Sequence, residues 1–464
     1  MHIYMMRSFT ENMVSMVLVV VLVSLCMTKS NSSANDDEAA LLAFKTAITS
    51  DPFGILSNNW SYHTPYCDWI GVTCSGRHQR VTQLNLFNMG FNGTIPEEIG
   101  GLSFLSTFNI SANSLHGHIP ESIGLLTKLQ SLDLSYNNLT GNIPANIYNI
   151  SSMQFVDLRN NLLSGTLPEG ICDNYFRQLQ GLYLSGNRLS GEIPSSLPKC
   201  MELRFLNLGD NEFHGSIAPE IGNFSKLEWL MLYGNNLTGD LPWTIFNISS
   251  LVRLNIRMNE ISGILPNDLC YQIPELEYLD ISINQIHGEI PQALSSCRRL
   301  QKLSMSKNQL SGRFPTQICN ISSLQELYLT RMNLTGYLPK GIGKLSILRD
   351  FRVYVNRLTG TIPPSIGNIS TLENFIVFEN NLGGYIPSEL GKLSSLKGLS
   401  LRSNNFSGEV PSSIFNISGL QVIELSWNKL FGNLQPGLRH WISPSLEGLL
   451  LYGNQFSGTI PSKP

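Results

Sequence analysis

The residue types in this 464-residue sequence that could do chemistry are eight cysteines, eight histidines, fourteen Asn-x-Ser/Thr triplets and two Gly-Lys pairs. Their spacing decides which chemistry is open to them. His116, His214 and His287 occupy one slot of a repeating pattern but stand three or more repeats apart. That is at least ~14 Å, too far to share a metal ion. His116 and His118 are close, yet two histidines alone make a poor site. No metal and no cofactor is expected. Gly343-Lys344 and Gly391-Lys392 lack the spacing of a phosphate-cradling loop. No Ser-His-Asp or Cys-His group sits in a recognisable elbow, and no carboxylate pair is placed by a motif. The glycine-rich loop, VAIK, HRD and DFG of a kinase are absent. The expectation is a chain that is not an enzyme.

The cysteines are set for oxidation. Cys67 and Cys74 close the loop CDWIGVTC. Cys172 and Cys200 stand four residues after one recurrent proline and six after the next, and Cys270 and Cys297 repeat the arrangement. Spacings of 26 and 25 residues fall inside these pairs. Coils ~5 Å apart suit the Cα separation of a disulfide, so the expected bridges are Cys67–Cys74, Cys172–Cys200 and Cys270–Cys297. Cys319 has the first slot without a partner and is expected to be a buried free thiol. The Asn-x-Ser/Thr triplets predict N-glycans at Asn59, Asn92, Asn109, Asn138, Asn149, Asn223, Asn236, Asn247, Asn320, Asn333, Asn368, Asn405 and Asn416. A further triplet at Asn31 lies near the N-terminal processing region.

What must position these groups is a repeat. Residues 129–144, LQSLDLSYNNLTGNIP, recur with a period near 24. Numbered by the Asn of LxLxxNxLxG, sixteen repeats fall at 89, 113, 137, 161, 187, 211, 235, 259, 284, 308, 332, 356, 380, 404, 428 and 454. Met89 and Met332 alone replace the Asn. Gly follows four residues later every time, and Pro three beyond that except at Ala218 and Gln435. The alternating pair before the Asn, such as Leu132 and Leu134, reads as a short strand with one buried face. The Asn amide can donate and accept, so stacked Asn side chains can satisfy turn backbone. The Gly slot suits positive φ or close approach, and Pro removes a donor where the chain turns away. One coil cannot bury its own apolar residues, so neighbours must stack. The fold class is therefore an α/β solenoid of leucine-rich repeats, a right-handed superhelix of sixteen coils.

Before the array come two other segments. Arg7 precedes an apolar run from Met13 to Met27, which predicts a secretory signal peptide over 1–31, cleaved between Met27 and Asn35. A run of about 15 residues falls short of a ~20-residue span. Residues 34–81 read as an N-terminal helical and disulfide cap: Asn35-Asp36-Asp37-Glu38 precede a helix with Leu41, Leu42, Phe44 and Ile48 on one face. The array fills 82–464. Charged residues are 14% and net charge is −3, so neither nucleic acid nor an anionic membrane is indicated as partner, and with no second apolar run, membrane insertion by this chain is not expected. Arg77-His78-Gln79-Arg80 and Arg298-Arg299 read as solvated surface charge.

Taken together, D-x-x-A-L-L-A-F-K, N-N-W, C-D-W-x-G-V-x-C and L-x-G-x-I-P resemble the ectodomain of plant leucine-rich repeat receptor-like kinases. The paired-cysteine coils and GNIS linkers are most similar to the immune-receptor subgroup sensing flagellin, elongation factor Tu and related microbial ligands. The resemblance implies a peptide or protein ligand, possible recruitment of a co-receptor kinase with a short repeat ectodomain, and a place at the plasma membrane. The sequence ends after a repeat Pro without the family's terminal cap, membrane helix or kinase, which leads to the expectation of a truncated piece. Two alternatives stay open: a freely secreted binder in the apoplast that inhibits a microbial cell-wall hydrolase, or a truncated decoy receptor.

A ligand would meet the strand residues that flank the buried pair, six, four, two and one positions before the Asn. The plain filling is Asp and Ser, as at Asp133 and Ser135; departures from it mark candidates. Repeat seven offers Trp229, Met231 and Tyr233, with Arg253 and Arg257 beside them. Repeats eleven to fourteen offer Tyr328, Arg331, Arg352, Tyr354, Ile376, Phe378 and Arg402, and repeat fifteen adds Trp427. Aromatics interleaved with Arg are the composition of binding hot spots.

Overall fold

The computed structural model describes residues 36–173, 176–433 and 445–458. The expected signal peptide over 1–31 and the Gln435 slot lie outside them. The chain divides into two compact units, one holding the cap and repeats one to five, the other the later repeats.

A typical repeat is a short strand, a turn at the Asn, a second short strand and a single turn of 3₁₀ helix, as in Ser131–Asp133, Asn138–Asn142 and Ala145–Asn149. In the first unit the inner strands Val81–Asn85, Thr107–Asn109, Ser131–Asp133, Phe155–Asp157 and Gly181–Tyr183 pair in parallel. In the second unit the parallel ladder runs unbroken from Phe205–Asn207 to Gly448–Leu450. Parallel pairing in constant register follows from a constant repeat length: each strand meets its neighbour one period on. Proline opens the helical turn, as Pro144 does for Ala145–Asn149 and Pro363 for Pro364–Asn368. The core is one layer of aliphatic residues per coil; in repeat three Leu129, Leu132, Leu134, Leu139 and Ile147 are all fully buried.

The Asn joins coils directly. Asn137 Oδ1 accepts from the Leu115 N–H at 3.0 Å, and Nδ2 donates to the carbonyls of Ile110 and Leu134, each at 3.1 Å. Two of those three groups belong to the preceding coil. The same triad recurs at Asn161, Asn235, Asn259, Asn308, Asn380, Asn404 and Asn428. The plain Asp/Ser filling also has a cause. Ser135 donates its N–H at 3.1 Å and its hydroxyl at 2.7 Å to Asp133 Oδ1, closing the turn ahead of the Asn.

A feature invisible in the repeat alignment is the residue just before the Asn. It adopts positive φ throughout, including Ile283 (56°), Arg331 (54°), Val355 (56°) and Trp427 (59°). Left-handed backbone is disfavoured for side chains branched at Cβ. Glycine stands there at Gly186, Gly234 and Gly453, but most coils do without it, because the backbone bonds on either side fix the turn. The Val355 N–H, for example, donates to the Phe378 carbonyl at 3.0 Å.

In the cap, residues 36–47 form a helix that buries Leu41 and Phe44. Two expectations need correction here. Ile48 is not helical: it opens the strand Ile48–Ser50, which pairs antiparallel with Asn92–Gly93. Only glycine fits at Gly93, where φ is 151° and a Cβ would meet the Ala47 carbonyl oxygen at 2.2 Å. Nor is Arg80 solvated surface charge. It is 7% exposed and makes a two-pronged pair with the fully buried Asp37, Nε to Oδ2 at 2.8 Å and Nη2 to Oδ1 at 2.7 Å. Asp37 Oδ2 also accepts from the Val81 N–H at 2.8 Å. A carboxylate with three donors is well compensated in the interior, and this one ties the cap helix to the first strand. Arg298 and Arg299 do stay at the surface, where Arg299 pairs with Glu275.

Two substitutions test this account. Asn137→Ala orphans three buried backbone groups and is expected to cost about 3 kcal/mol or more in chemical denaturation. Asp37→Ala strands the Arg80 charge and is expected to cost ~3–5 kcal/mol, with amide exchange rising first in the cap helix. Unchanged midpoints would remove either bridge from the account of stability.

Candidate functional site

Strand pairing in the second unit sets the candidate residues in rows. Four positions before the Asn, Tyr328 faces Arg352 and Arg352 faces Ile376. Two positions before it, Tyr354 and Phe378 stack with centroids 4.2 Å apart and planes at 12°. Arg402 continues that row: the Glu379 N–H donates to its carbonyl at 2.9 Å. Arg352, Tyr354, Ile376 and Phe378 help to wall a cavity of about 420 Å³, also lined by Asn374, Lys397, Gly398, Leu399, Ser400, Gln421, Val422 and Glu424; Tyr328 and Arg402 are not part of its lining. Arg331 lies outside it, exposed, with its N–H bonded to the Tyr354 carbonyl at 2.9 Å.

Several lining residues escaped the sequence reading. Gly398 forms the floor; a Cβ there would meet Asn374 Oδ1 at 2.7 Å. The signal was a glycine six positions before the Asn, a slot that Lys302, Glu326, Asp350 and Asn374 fill in the preceding coils. Asp350 also went unnoticed, yet it decides the electrostatics. Arg352 donates to both of its oxygens, at 2.7 and 2.8 Å, and the Tyr328 hydroxyl donates to Oδ2 at 3.2 Å. Burial first, then the charges of Asp350 and Glu326, push the Tyr328 phenol far above its ordinary range, so it stays a neutral donor. Lys397 is likewise held by Glu373 at 2.7 Å, and Glu424 accepts from the Ser400 hydroxyl at 2.7 Å. The groove's charges are therefore paired internally. What it leaves open is apolar wall and a bare floor; two buried donors on the same coils, Arg402 Nε and Ser426 Oγ, lack hydrogen-bond partners among the described residues but do not line the cavity. Arg402 Nε is 3.7 Å from Glu424 Oε1, beyond a hydrogen bond.

The repeat-seven group is built differently. Trp229 meets Phe205 edge to face at 5.1 Å, and the Arg253 guanidinium lies 4.8 Å over its ring. The Tyr233 ring rests on Gly209, whose Cβ position lies 2.4 Å from it. Burial raises the Asp210 carboxyl above its ordinary value, against the opposing pull of Arg257. Met231 is half-buried in the same strand. These aromatics are engaged by residues of the adjacent coils. Trp427 is 56% exposed and sits edge to face with Tyr452 at 5.9 Å.

Disulfides join Cys67–Cys74, Cys172–Cys200 and Cys270–Cys297, with Cα separations of 5.5, 5.2 and 5.0 Å. Cys319 is free and buried, its thiol pushed up to about 11 by burial. The described residues hold no cluster of three or more metal-binding side chains and no helix long and apolar enough to cross a membrane. Among the Asn-x-Ser/Thr positions, six (Asn149, Asn223, Asn247, Asn320, Asn368, Asn416) fall twelve residues after the repeat Asn, and four (Asn138, Asn236, Asn333, Asn405) fall one after that slot. All ten are exposed. Asn109 is different. It sits half-buried in an inner strand of the first unit, and its Oδ1 accepts the N–H and hydroxyl of Ser111.

With the coil geometry established, comparison with known proteins is direct. The sequence profile of the leucine rich repeat N-terminal domain matches residues 34–75, and that of the Leucine Rich Repeat matches nine segments between residues 128 and 417. The chain is a leucine-rich repeat protein. Among relatives, it is 37% identical over 94 residues to the LRR receptor-like serine/threonine-protein kinase EFR of Arabidopsis thaliana, a match covering 20% of this chain and 9% of that receptor. The chain thus aligns with only a small part of the curated relatives it matches. Among solved structures, it resembles the plant peptide hormone receptor RGFR1 in complex with RGF2, at 32% identity and TM-score 0.73 over 80% of this chain and 62% of that one. It also resembles the Arabidopsis receptor kinase HAESA in complex with the peptide hormone IDA and the co-receptor SERK1, at 26% identity and TM-score 0.59, covering 92% of this chain and 87% of that one. The array is of the type found in plant receptor ectodomains.

Replacing Tyr354 and Phe378 together by Ala removes two half-buried, stacked rings and leaves the buried pair of each strand intact. Thermal unfolding is expected to shift by no more than about 4 °C, while any ligand of the groove loses its wall. A collapse of the fold would make the stack structural instead.

Proposed function

We propose that this chain is the extracellular ligand-recognition array of a plant-type receptor kinase, and that it captures an extended peptide along repeats eleven to fifteen. One observation carries the reading: an aromatic-walled groove with a glycine in its lining shares its coils with two buried donors that have no hydrogen-bond partner among the described residues. Orphaned buried donors cost free energy, and a backbone carbonyl or carboxylate of a bound peptide would satisfy them. Because Arg352, Lys397 and Glu424 are already engaged, the residue seated over Gly398 is neutral and apolar, and its capture depends only weakly on salt. The expected glycan positions lie beside the repeat Asn slot or on the helical turns, so from repeat six onward none falls on the strand positions that would meet a ligand.

The co-receptor in the HAESA complex supports a partner kinase of that kind here. A ligand of microbial origin, and with it a role in defence, is supported by the paired-cysteine coils and GNIS linkers. A secreted inhibitor or decoy would use the same groove, so these readings share the capture step and diverge only in the response that capture triggers.

The test is selection of a displayed random dodecapeptide library on the secreted protein. Enriched peptides should share one aromatic or large aliphatic position. Gly398→Leu fills the floor and should lower their capture at least about tenfold, a change worth ~1.4 kcal/mol. Enrichment of strongly charged peptides, or capture indifferent to Gly398→Leu, would overturn the assignment.

A further inference from the structure

The helical side of the second unit carries a second cavity, about 630 Å³, lined among others by Tyr271, Pro274, Ser296, Arg298, Asn320 and Ser322. Two of these, Asn320 and Ser322, are the first and third residues of one Asn-x-Ser triplet. We propose that this cavity seats the N-glycan of Asn320, with its first N-acetylglucosamine laid against the Tyr271 ring.

Three features point to a sugar. Tyr271 is 70% exposed, uncovered by any of the described residues; a flat apolar face with a polar tip suits the mixed surface of a hexosamine. Arg298 and Ser296 supply donors on the same rim, and Arg298 has no ion pair among the described residues. The cavity volume lies within the ~300–1,000 Å³ range of small-ligand sites. The sugar also needs little affinity of its own. Its attachment to a residue of the cavity wall holds it at high effective concentration, so a single stacking contact is enough to populate the seat.

The platform is specific to this coil. Tyr271 follows Cys270, whose bond to Cys297 fixes the loop, and the Tyr271 N–H donates to the Asp268 carbonyl at 2.9 Å. Asn320 closes the 3₁₀ turn Thr316–Asn320, two coils on. Asn368 holds the equivalent slot, but two coils before it stands Asn320 and no aromatic. It is the internal control. The inference is independent of the peptide groove on the strand side.

The experiment uses the full chain secreted with oligomannose glycans, digested while folded with an endoglycosidase that cuts between the two core sugars. Release is followed at each site by peptide mass spectrometry. Asn320 should be released about fivefold more slowly than Asn368. Tyr271→Ala should abolish the difference, whereas Tyr271→Phe, which keeps the ring, should preserve it. Equal release at both sites in the wild type, an effect of Tyr271→Phe as large as that of Tyr271→Ala, or an unoccupied Asn320 would each overturn the proposal.

Discussion

The structure depends on one side-chain amide used over and over. Each repeat Asn gives its oxygen to an N–H of the coil before it and its two hydrogens to carbonyls, one in that coil and one in its own. Short strands three residues long cannot stack coils on ladder bonds alone, and the turns between them would leave backbone groups buried and unpaired. The Asn resolves both problems with the same three bonds. It also explains why the array tolerates so little regular secondary structure: polar satisfaction comes from a side chain, so the helical side needs only single turns.

The two strand positions that flank the buried leucines are the part this scaffold leaves free. Where they hold Asp and Ser they finish the turn, and the coil is mute. Where they hold aromatics and arginines, the result depends on the facing residues of the adjacent coils. In repeat seven, Phe205 and Arg253 engage Trp229 from the two adjacent coils. In repeats twelve to fourteen the Tyr354–Phe378 stack borders a cavity that Gly398 also lines. Similar side chains thus give a filled surface in one place and a groove in another.

Much of the fold was legible because repetition averages away local ambiguity. Period, Asn, Gly and Pro slots, and the buried pair of each strand could be read from residues alone. The rows of candidate residues could be read too, since constant register makes neighbours of equal slots. What was not legible were exceptions to the period. Ile48 continued a helical pattern yet pairs as a strand, because the cap must meet Gly93 edge to edge. Arg80 sat in a basic cluster, but its partner Asp37 lies 43 residues away. The groove's electrostatics turned on Asp350, one residue among many acids, whose importance comes only from the Arg352 beside it.

The left-handed residue ahead of each Asn has a wider consequence. Positions such as Ile283 and Val355 hold the least suitable side chains for that backbone and lie off the groove lining. A chain that keeps poor fillers there retains headroom: exchanging Ile283 or Val355 for Asn or Gly would relieve the turn without altering the lining of the groove. The same column holds Arg331 and Trp427, so turn relief and ligand-facing surface are traded against each other in one slot of the repeat.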